Sequence, residues 1–254
     1  MSEPIPSYGL AEPPRSIAPN GIDVLIAAVV FAVLLALFSG GTILLRLSAP
    51  DLFTSQAGLL GLTVILLSAQ CLALLAAVAL ALRRRGGGLA TVGLLPLGWR
   101  GATIAILLGV LIAFGLSAVL YGLQQAMHLP SKTPGAEMLA PAGFSWLGWG
   151  VMLLVAGLLA PFAEEVMFRG LVFGWLRQRL RPSLAALVSA LPFGLLHIQP
   201  QHILYAGAAG FFLALIYQRS GSLWSSIAAH MAINIIAVSE VYIALAMGVP
   251  LDQI

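Results

Sequence analysis

Long apolar runs separated by short charged turns set the narrowest limit on how this 254-residue chain can fold. A helix needs about 20 apolar residues to cross the hydrocarbon core of a bilayer, and five of the runs are that long. Charged residues make up only 8% of the chain, whereas a typical soluble domain has about 25%. Because backbone groups in lipid must be hydrogen-bonded within the segment, these runs indicate helices. The sequence therefore predicts an all-α, polytopic transmembrane helical bundle that resides in a lipid bilayer.

The number of apolar runs predicts seven membrane helices, with eight as the alternative if the last run breaks near its end. The runs cover residues 24–45, 57–82, 101–123, 146–180, 183–197, 203–217 and 222–249. Residues 1–22 carry five prolines and no apolar periodicity, which predicts a flexible cytoplasmic tail. No Ala-x-Ala cleavage site follows the first run, so we expect that run to remain in the membrane. Residues 23–254 are then one transmembrane domain, and the sequence indicates no particular oligomeric state.

Positive charge predicts the orientation of the bundle. Under the seven-helix topology, only Arg46 and Lys132 fall on one side of the membrane. The other side has eight arginines: Arg83, Arg84, Arg85, Arg100, Arg177, Arg179, Arg181 and Arg219. By the positive-inside rule the arginine-rich side is cytoplasmic, with the N-terminus inside and the C-terminus outside. Since the arginines sit at the ends of apolar runs, they do not indicate nucleic-acid binding.

Two adjacent glutamates and an arginine interrupt the fourth apolar run, at Glu164, Glu165 and Arg169. Such charges are costly inside a bilayer unless they are paired or serve a function. Glu165 and Arg169 are four residues apart on a helix, so they can form an ion pair. Glu164 is turned by about 100° and has no such partner in its own helix. We therefore expect a functional role for Glu164 and a structural role for the Glu165–Arg169 pair.

Four polar residues from three predicted helices reach a similar depth in the membrane. Glu164, His197, His230 and Asn234 lie roughly 12 to 21 Å from the cytoplasmic ends of their helices, at about 1.5 Å per residue. His230 and Asn234 are four residues apart and share one helix face. We expect these four side chains to converge. Two further histidines carry no functional expectation: His128 in a loop and His202 at the start of the sixth helix.

A glutamate, two histidines and an asparagine allow two routes to amide hydrolysis. In the first, Glu164 with His197 deprotonates a water molecule that attacks a peptide carbonyl, and His230 and Asn234 donate hydrogen bonds to the oxyanion. In the second, Glu164, His197 and His230 hold a divalent metal such as zinc, which activates its own bound water. The residues alone do not choose between the two.

Three motifs lie in order on consecutive membrane segments, within residues 146–240. They are Glu164-Glu165-x-x-x-Arg169, Phe193-x-x-x-His197 and His230-x-x-x-Asn234. Their order and spacing resemble the signature of the CAAX prenyl protease type II and bacteriocin-processing (abortive-infection, CPBP) family of intramembrane proteases. The first two or three helices carry no family signal. Residues 146–240 are therefore the expected catalytic core.

The resemblance implies a membrane-embedded endopeptidase with an all-helical core. It assigns water activation to Glu164 and His197, and stabilisation of the oxyanion to His230 and Asn234. Glutamate-type and metal-dependent mechanisms have both been suggested for the family. The expected substrate is a membrane-associated protein or peptide. Eukaryotic relatives trim prenylated proteins, so a prenylated or CAAX-like substrate is one option, but bacteria largely lack such proteins and the resemblance indicates the reaction better than the substrate. The preference for arginine over lysine hints at a bacterial genome, and so at the bacterial inner membrane.

Two other classes of function remain as alternatives. A non-catalytic bacteriocin-immunity or membrane scaffold protein could use the same polar cluster to bind a partner. A small-solute transporter also contains buried carboxylates and histidines. The transporter is the weaker alternative because the chain shows no inverted repeat and its polar residues come from one part of the sequence.

Overall fold

The structure is a computed structural model that describes residues 18–128 and 135–254. These residues form eight α-helices and no strand, which confirms the all-α prediction. The helices are α1 (Gly21–Ser48), α2 (Gln56–Arg83), α3 (Trp99–Ala126), α4 (Ala136–Leu139), α5 (Trp146–Leu176), α6 (Pro182–Leu195), α7 (Pro200–Ser220) and α8 (Leu223–Ala246). Short 3₁₀ turns occur at Pro50–Phe53, Leu89–Val92 and Leu251–Gln253.

The seven predicted helices correspond to α1–α3 and α5–α8, with small differences at their ends. The single turn α4 lies between the third and the fourth predicted runs, which end at residue 123 and begin at residue 146. After α8 ends at Ala246 the chain forms only the last 3₁₀ turn, where the eight-helix alternative placed a further piece. Most of the predicted N-terminal tail, and Lys132, lie outside the described residues.

Five helices of the described chain, α1, α2, α3, α5 and α8, are long and apolar enough to cross a membrane. The chain is an integral membrane protein. Helix α6, with 14 residues, is apolar but shorter. It pairs with α7 as an antiparallel hairpin, and α8 packs against α3, α5 and α7. At the crossing of α3 and α8, a Cβ on Gly109 would collide with the Ala229 carbonyl oxygen, so glycine permits this close approach.

Polar contacts gather the N-terminus of α1 and the C-termini of α2 and α5 at one end of the bundle. Asn20 and Asp23 form a capping box at the start of α1. The buried Asp23 carboxylate also forms ion pairs with Arg84 at 3.1 Å and Arg85 at 3.0 Å. Gln178 donates a hydrogen bond to the Pro19 carbonyl. Several of the arginines that predict the cytoplasmic side therefore lie at the same end of the structure.

Helix α5 is continuous but irregular around the two glutamates. The α-helical segment Ala160–Glu165 is flanked by two π-helical segments, Leu153–Leu159 and Val166–Phe173. Proline has no backbone N–H, so the regular hydrogen-bond ladder cannot run unbroken through Pro161. Such wide turns are rare in proteins and occur frequently at functional sites.

Candidate active site

Glu165 lies in the interior of the bundle between two partners. Its side chain is fully buried, and its Oε1 atom is 2.9 Å from Nη1 of Arg169, so the predicted ion pair is present. The same oxygen is 2.9 Å from Nδ1 of His230 on α8. The Arg169 guanidinium stacks on the Phe193 ring at 4.2 Å. These contacts connect α5 to α8 through Glu165 and His230, and α5 to α6 through Arg169 and Phe193.

Glu164 faces a different space from its neighbour. Its carboxylate lies on the wall of a cavity of about 680 Å³. Its Oε2 atom is 3.7 Å from Nε2 of His230, so the two adjacent glutamates approach the two nitrogens of one imidazole. This geometry answers the question that the sequence raised about Glu164, because a side chain from another helix faces its charge.

The cavity also brings together residues from α6 and α8. His197 and Asn234 line it together with Glu164, while His230 contacts Glu164 and is itself buried. Three of the four predicted residues therefore line one cavity, and the fourth, His230, lies beside Glu164. No salt bridge joins Glu164 to His197 among the described residues, so Glu164 lies closer to His230 than to the imidazole that the sequence paired it with.

His197 sits just beyond the end of α6 and is oriented by its own turn. Its Nδ1 atom donates a hydrogen bond to the Phe193 carbonyl at 3.0 Å. Because a carbonyl oxygen can only accept, the neutral ring carries its proton on Nδ1 and leaves Nε2 free to accept one. The next residue, Ile198, has a φ of 62°, a left-handed conformation that is unusual for a β-branched side chain.

Asn234 compensates for the proline in α5. The wide turn before Pro161 pairs the Ala160 N–H with the Val155 carbonyl, five residues back. The next bond in that register would join Pro161 to the Ala156 carbonyl, but proline has no N–H to donate. Asn234 donates to this carbonyl instead, at 2.9 Å. One amide hydrogen of Asn234 is thereby used in the fold, and the second remains for a ligand in the cavity.

His202, for which the sequence predicted no functional role, lies on the wall of the same cavity. Its ring centroid is 4.4 Å from that of His197, across the turn between α6 and α7. The short spacing to His197 around Pro200 is the only sequence signal for this contact. His128, the other histidine without an expected role, does not line the cavity.

The residues proposed as zinc ligands do not form a metal-binding set. Within the described ranges, no group of three or more His, Cys, Asp or Glu side chains is arranged to hold a metal ion. Nδ1 of His230 is directed at Glu165, and only its Nε2 faces Glu164. As positioned, Glu164, His197 and His230 do not fit a zinc site.

Comparison with known proteins gives two matches. Residues 145–236 match the family described as Type II CAAX prenyl endopeptidase Rce1-like. The chain is also 34% identical over 84 residues to "Putative membrane peptidase YdiL" of Bacillus subtilis (strain 168). That alignment covers 33% of this chain and 34% of the relative, about a third of each. No solved structure gives a significant match. Both matches support the family resemblance that the three motifs predicted, and they do so over residues 145–236, the part of the chain that carries those motifs.

Proposed function

We propose that this protein is an intramembrane endopeptidase of the glutamate type, which hydrolyses a peptide bond of a membrane-associated protein or peptide. One observation carries the proposal: Glu164 lies on a cavity wall, 3.7 Å from His230, and shares that cavity with His197 and Asn234. A carboxylate and imidazoles around a space large enough for a peptide provide both a general base and hydrogen-bond donors. The family match supports the same reaction.

The first step is the attack of water on the substrate carbonyl. Glu164 takes a proton from a water molecule that lies between it and His197, whose Nε2 atom is free to accept a hydrogen bond. The water oxygen bonds to the carbonyl carbon, and the carbonyl π electrons move to its oxygen, which gives a tetrahedral oxyanion. Collapse of this intermediate breaks the C–N bond, and the proton passes to the leaving amine.

His230 and Asn234 stabilise the oxyanion in this scheme. Glu165 accepts the hydrogen bond from Nδ1 of His230 and holds the ring so that Nε2 faces the cavity side. Nε2 of His230, 3.7 Å from Glu164, is the atom that donates to the oxyanion in this scheme. The second amide hydrogen of Asn234 is the other donor. Arg169 and Phe193 position these groups and do not touch the substrate.

The cavity supports a substrate with an apolar chain. Between the polar residues its wall is formed by aliphatic and aromatic side chains, including Leu67, Leu74, Leu120, Phe168 and Ile233. Such a wall can accommodate an apolar transmembrane segment, or a prenyl chain of a CAAX-like substrate. The family match supports the prenyl chain, and the apolar wall of the cavity is compatible with either kind of substrate.

We further propose that the protein resides in a bacterial inner membrane with its N-terminus in the cytoplasm. The support is the asymmetry of the arginines together with the contacts among Asp23, Arg84 and Arg85 at one end of the bundle. In this orientation the arginine-rich end faces the cytoplasm, and the C-terminus lies on the other side.

The test is cleavage by purified protein in lipid nanodiscs, with fluorogenic membrane-anchored peptides in prenylated and unprenylated forms. Glu164→Gln preserves the size of the side chain and removes the base, so we expect kcat to fall about 10²- to 10⁴-fold. The matched control is Glu137→Gln, which removes an exposed carboxylate outside the cavity. Equal cleavage by Glu164→Gln and wild type would overturn the mechanism. A wild-type protein that binds these peptides without cleaving them would favour the scaffold function.

A further inference from the structure

Glu240 is an acidic residue of α8 for which the proposed mechanism has no use. It lies in the last third of the helix and is the only Asp, Glu, Lys or Arg residue of that span. Its side chain lines the same cavity as Glu164. An ionisable residue on a membrane helix is costly unless it serves a purpose or is paired, so its presence on this wall needs an explanation.

The helix places Glu240 on the face that carries the active site. Ile233, Ile236, Ala237 and Glu240 all line the cavity, and their spacings of three and four residues mark one side of α8. Glu240 follows His230 by ten residues, which corresponds to about 15 Å along the helix axis. The cavity therefore continues from the reacting centre to a second carboxylate.

Glu240 differs from the other buried or cavity carboxylates in its lack of a cation. Asp23 has two arginines, Glu165 has Arg169, and Glu164 faces His230. Glu240 makes no ion pair with any residue of the described chain. In addition, no arginine or lysine of the described chain lines the cavity. Among the described residues, nothing neutralises the charge of Glu240.

We propose that Glu240 is a specificity subsite that binds a lysine or arginine side chain of the substrate. The inference rests on the proposed endopeptidase function, since the position of the cation is counted from the scissile bond. An extended peptide rises about 3.3 Å per residue, so 15 Å corresponds to roughly four or five residues. The reach of a lysine or arginine side chain brings the lower limit to about three residues. The substrate is thus an apolar peptide with one basic residue about three to five positions from the cleaved bond.

The experiment uses the full chain in nanodiscs of phosphatidylcholine, a lipid without net charge. Membrane-anchored peptides carry a single lysine placed in turn at each position on both sides of the scissile bond, with glutamine at the same position as reference. At one position in the expected range, kcat/KM for the lysine peptide should exceed that for the glutamine peptide about three- to tenfold. In Glu240→Gln this ratio should fall to about one, and Glu240→Lys should prefer a glutamate peptide. Glu137→Gln, which alters a carboxylate outside the cavity, should keep the wild-type ratio.

A second readout does not depend on cleavage. Fluorescence anisotropy of the same peptides bound to Glu164→Gln protein should show tighter binding of the lysine peptide, and this difference should vanish in the Glu164→Gln, Glu240→Gln double variant. The subsite is overturned if kcat/KM does not depend on the position of the lysine, or if the lysine-to-glutamine ratio of kcat/KM is unchanged in Glu240→Gln. Cleavage of the peptides would in either case still support the endopeptidase. A binding preference that depends on Glu240, without cleavage of any peptide, supports the subsite and overturns the endopeptidase.

Discussion

Nδ1 of His230 lies 2.9 Å from Oε1 of Glu165, so a residue of α8 is fixed by a carboxylate of α5 that the substrate cannot reach. The same oxygen pairs with Arg169. This pair of contacts separates the roles of two adjacent glutamates. Glu165 belongs to the fold and orients the imidazole, whereas Glu164 faces the cavity.

Replacing Glu165 with glutamine should destabilise the protein strongly. Arg169 is about 1% exposed and would be left buried without its counter-charge, which costs on the order of 3–5 kcal/mol. The free energy of unfolding can be measured by SDS titration with tryptophan fluorescence as the signal. Glu137→Gln serves as the exposed control and should stay within about 0.5 kcal/mol of wild type. A Glu165→Gln protein as stable as this control would contradict the assigned role.

Removing both charges should separate stability from activity. In Glu165→Leu, Arg169→Met no unpaired charge remains, so the double variant should recover most of the stability lost by Glu165→Gln. It should remain inactive, because His230 has lost the partner of its Nδ1 atom. Unfolding and cleavage are measured on the same preparation, and recovery of both together would show that Glu165 does not position His230.

Two glycines of α7 provide a matched test of the packing under the site. A Cβ on Gly210 would lie 2.6 Å from Nη2 of Arg169 and 2.8 Å from a Phe193 ring atom, whereas a Cβ on Gly207 would have its nearest neighbour at 3.9 Å. Gly210→Ala should therefore destabilise by about 1–3 kcal/mol and lower activity by displacing Arg169. Gly207→Ala should be neutral or slightly stabilising. Thermal unfolding in detergent would show the difference, and equal effects of the two substitutions would argue against close packing at Gly210.

Cleavage should not depend on a bound metal. Glu164, His197 and His230 are not arranged as a ligand set, so EDTA or 1,10-phenanthroline should leave kcat/KM unchanged within about twofold. Metal content of the purified protein, measured by mass spectrometry, provides the second readout. Stoichiometric zinc together with loss of activity on chelation, restored by zinc, would instead support the metal-dependent scheme.

Cysteine accessibility should reveal the orientation of the bundle. In a Cys71→Ala background, Arg83→Cys lies at the arginine-rich end of α2, and Gln56→Cys lies at its opposite end. We expect a membrane-impermeant maleimide added to intact spheroplasts to label only the cysteine at position 56. Labelling of position 83 from outside would reverse the proposed topology.

Much of the fold was predictable because lipid limits the choices of the chain. The lengths of the apolar runs predicted seven of the eight helices, and the four-residue spacing of Glu165 and Arg169 predicted their ion pair. Counting depth along the helices also indicated that Glu164, His197, His230 and Asn234 meet. These predictions depend only on the geometry of single helices, which follows from the spacing of residues along the sequence.

The remaining features depend on contacts between helices. The bond from Asn234 to the Ala156 carbonyl follows from the wide turn before Pro161, and a helical pattern does not reveal where such a turn lies. The contact of His202 with His197 depends on the irregular turn at Ile198. Helical periodicity likewise does not show that Glu164 faces His230 more closely than His197.

Helix α6 is about 21 Å long, since it has 14 residues, and is shorter than the hydrocarbon core of about 30 Å. Its connection to α7 therefore turns back at membrane depth, where irregular backbone persists only if protein encloses it or water bathes it. The cavity lined by His197, Ile198 and Gln199 lies against this turn and meets that requirement when it is filled with water. Water in this cavity then both hydrates the turn and supplies the molecule that attacks the peptide bond. A variant that excluded water from the cavity would lose the α6–α7 hairpin as well as the hydrolytic activity.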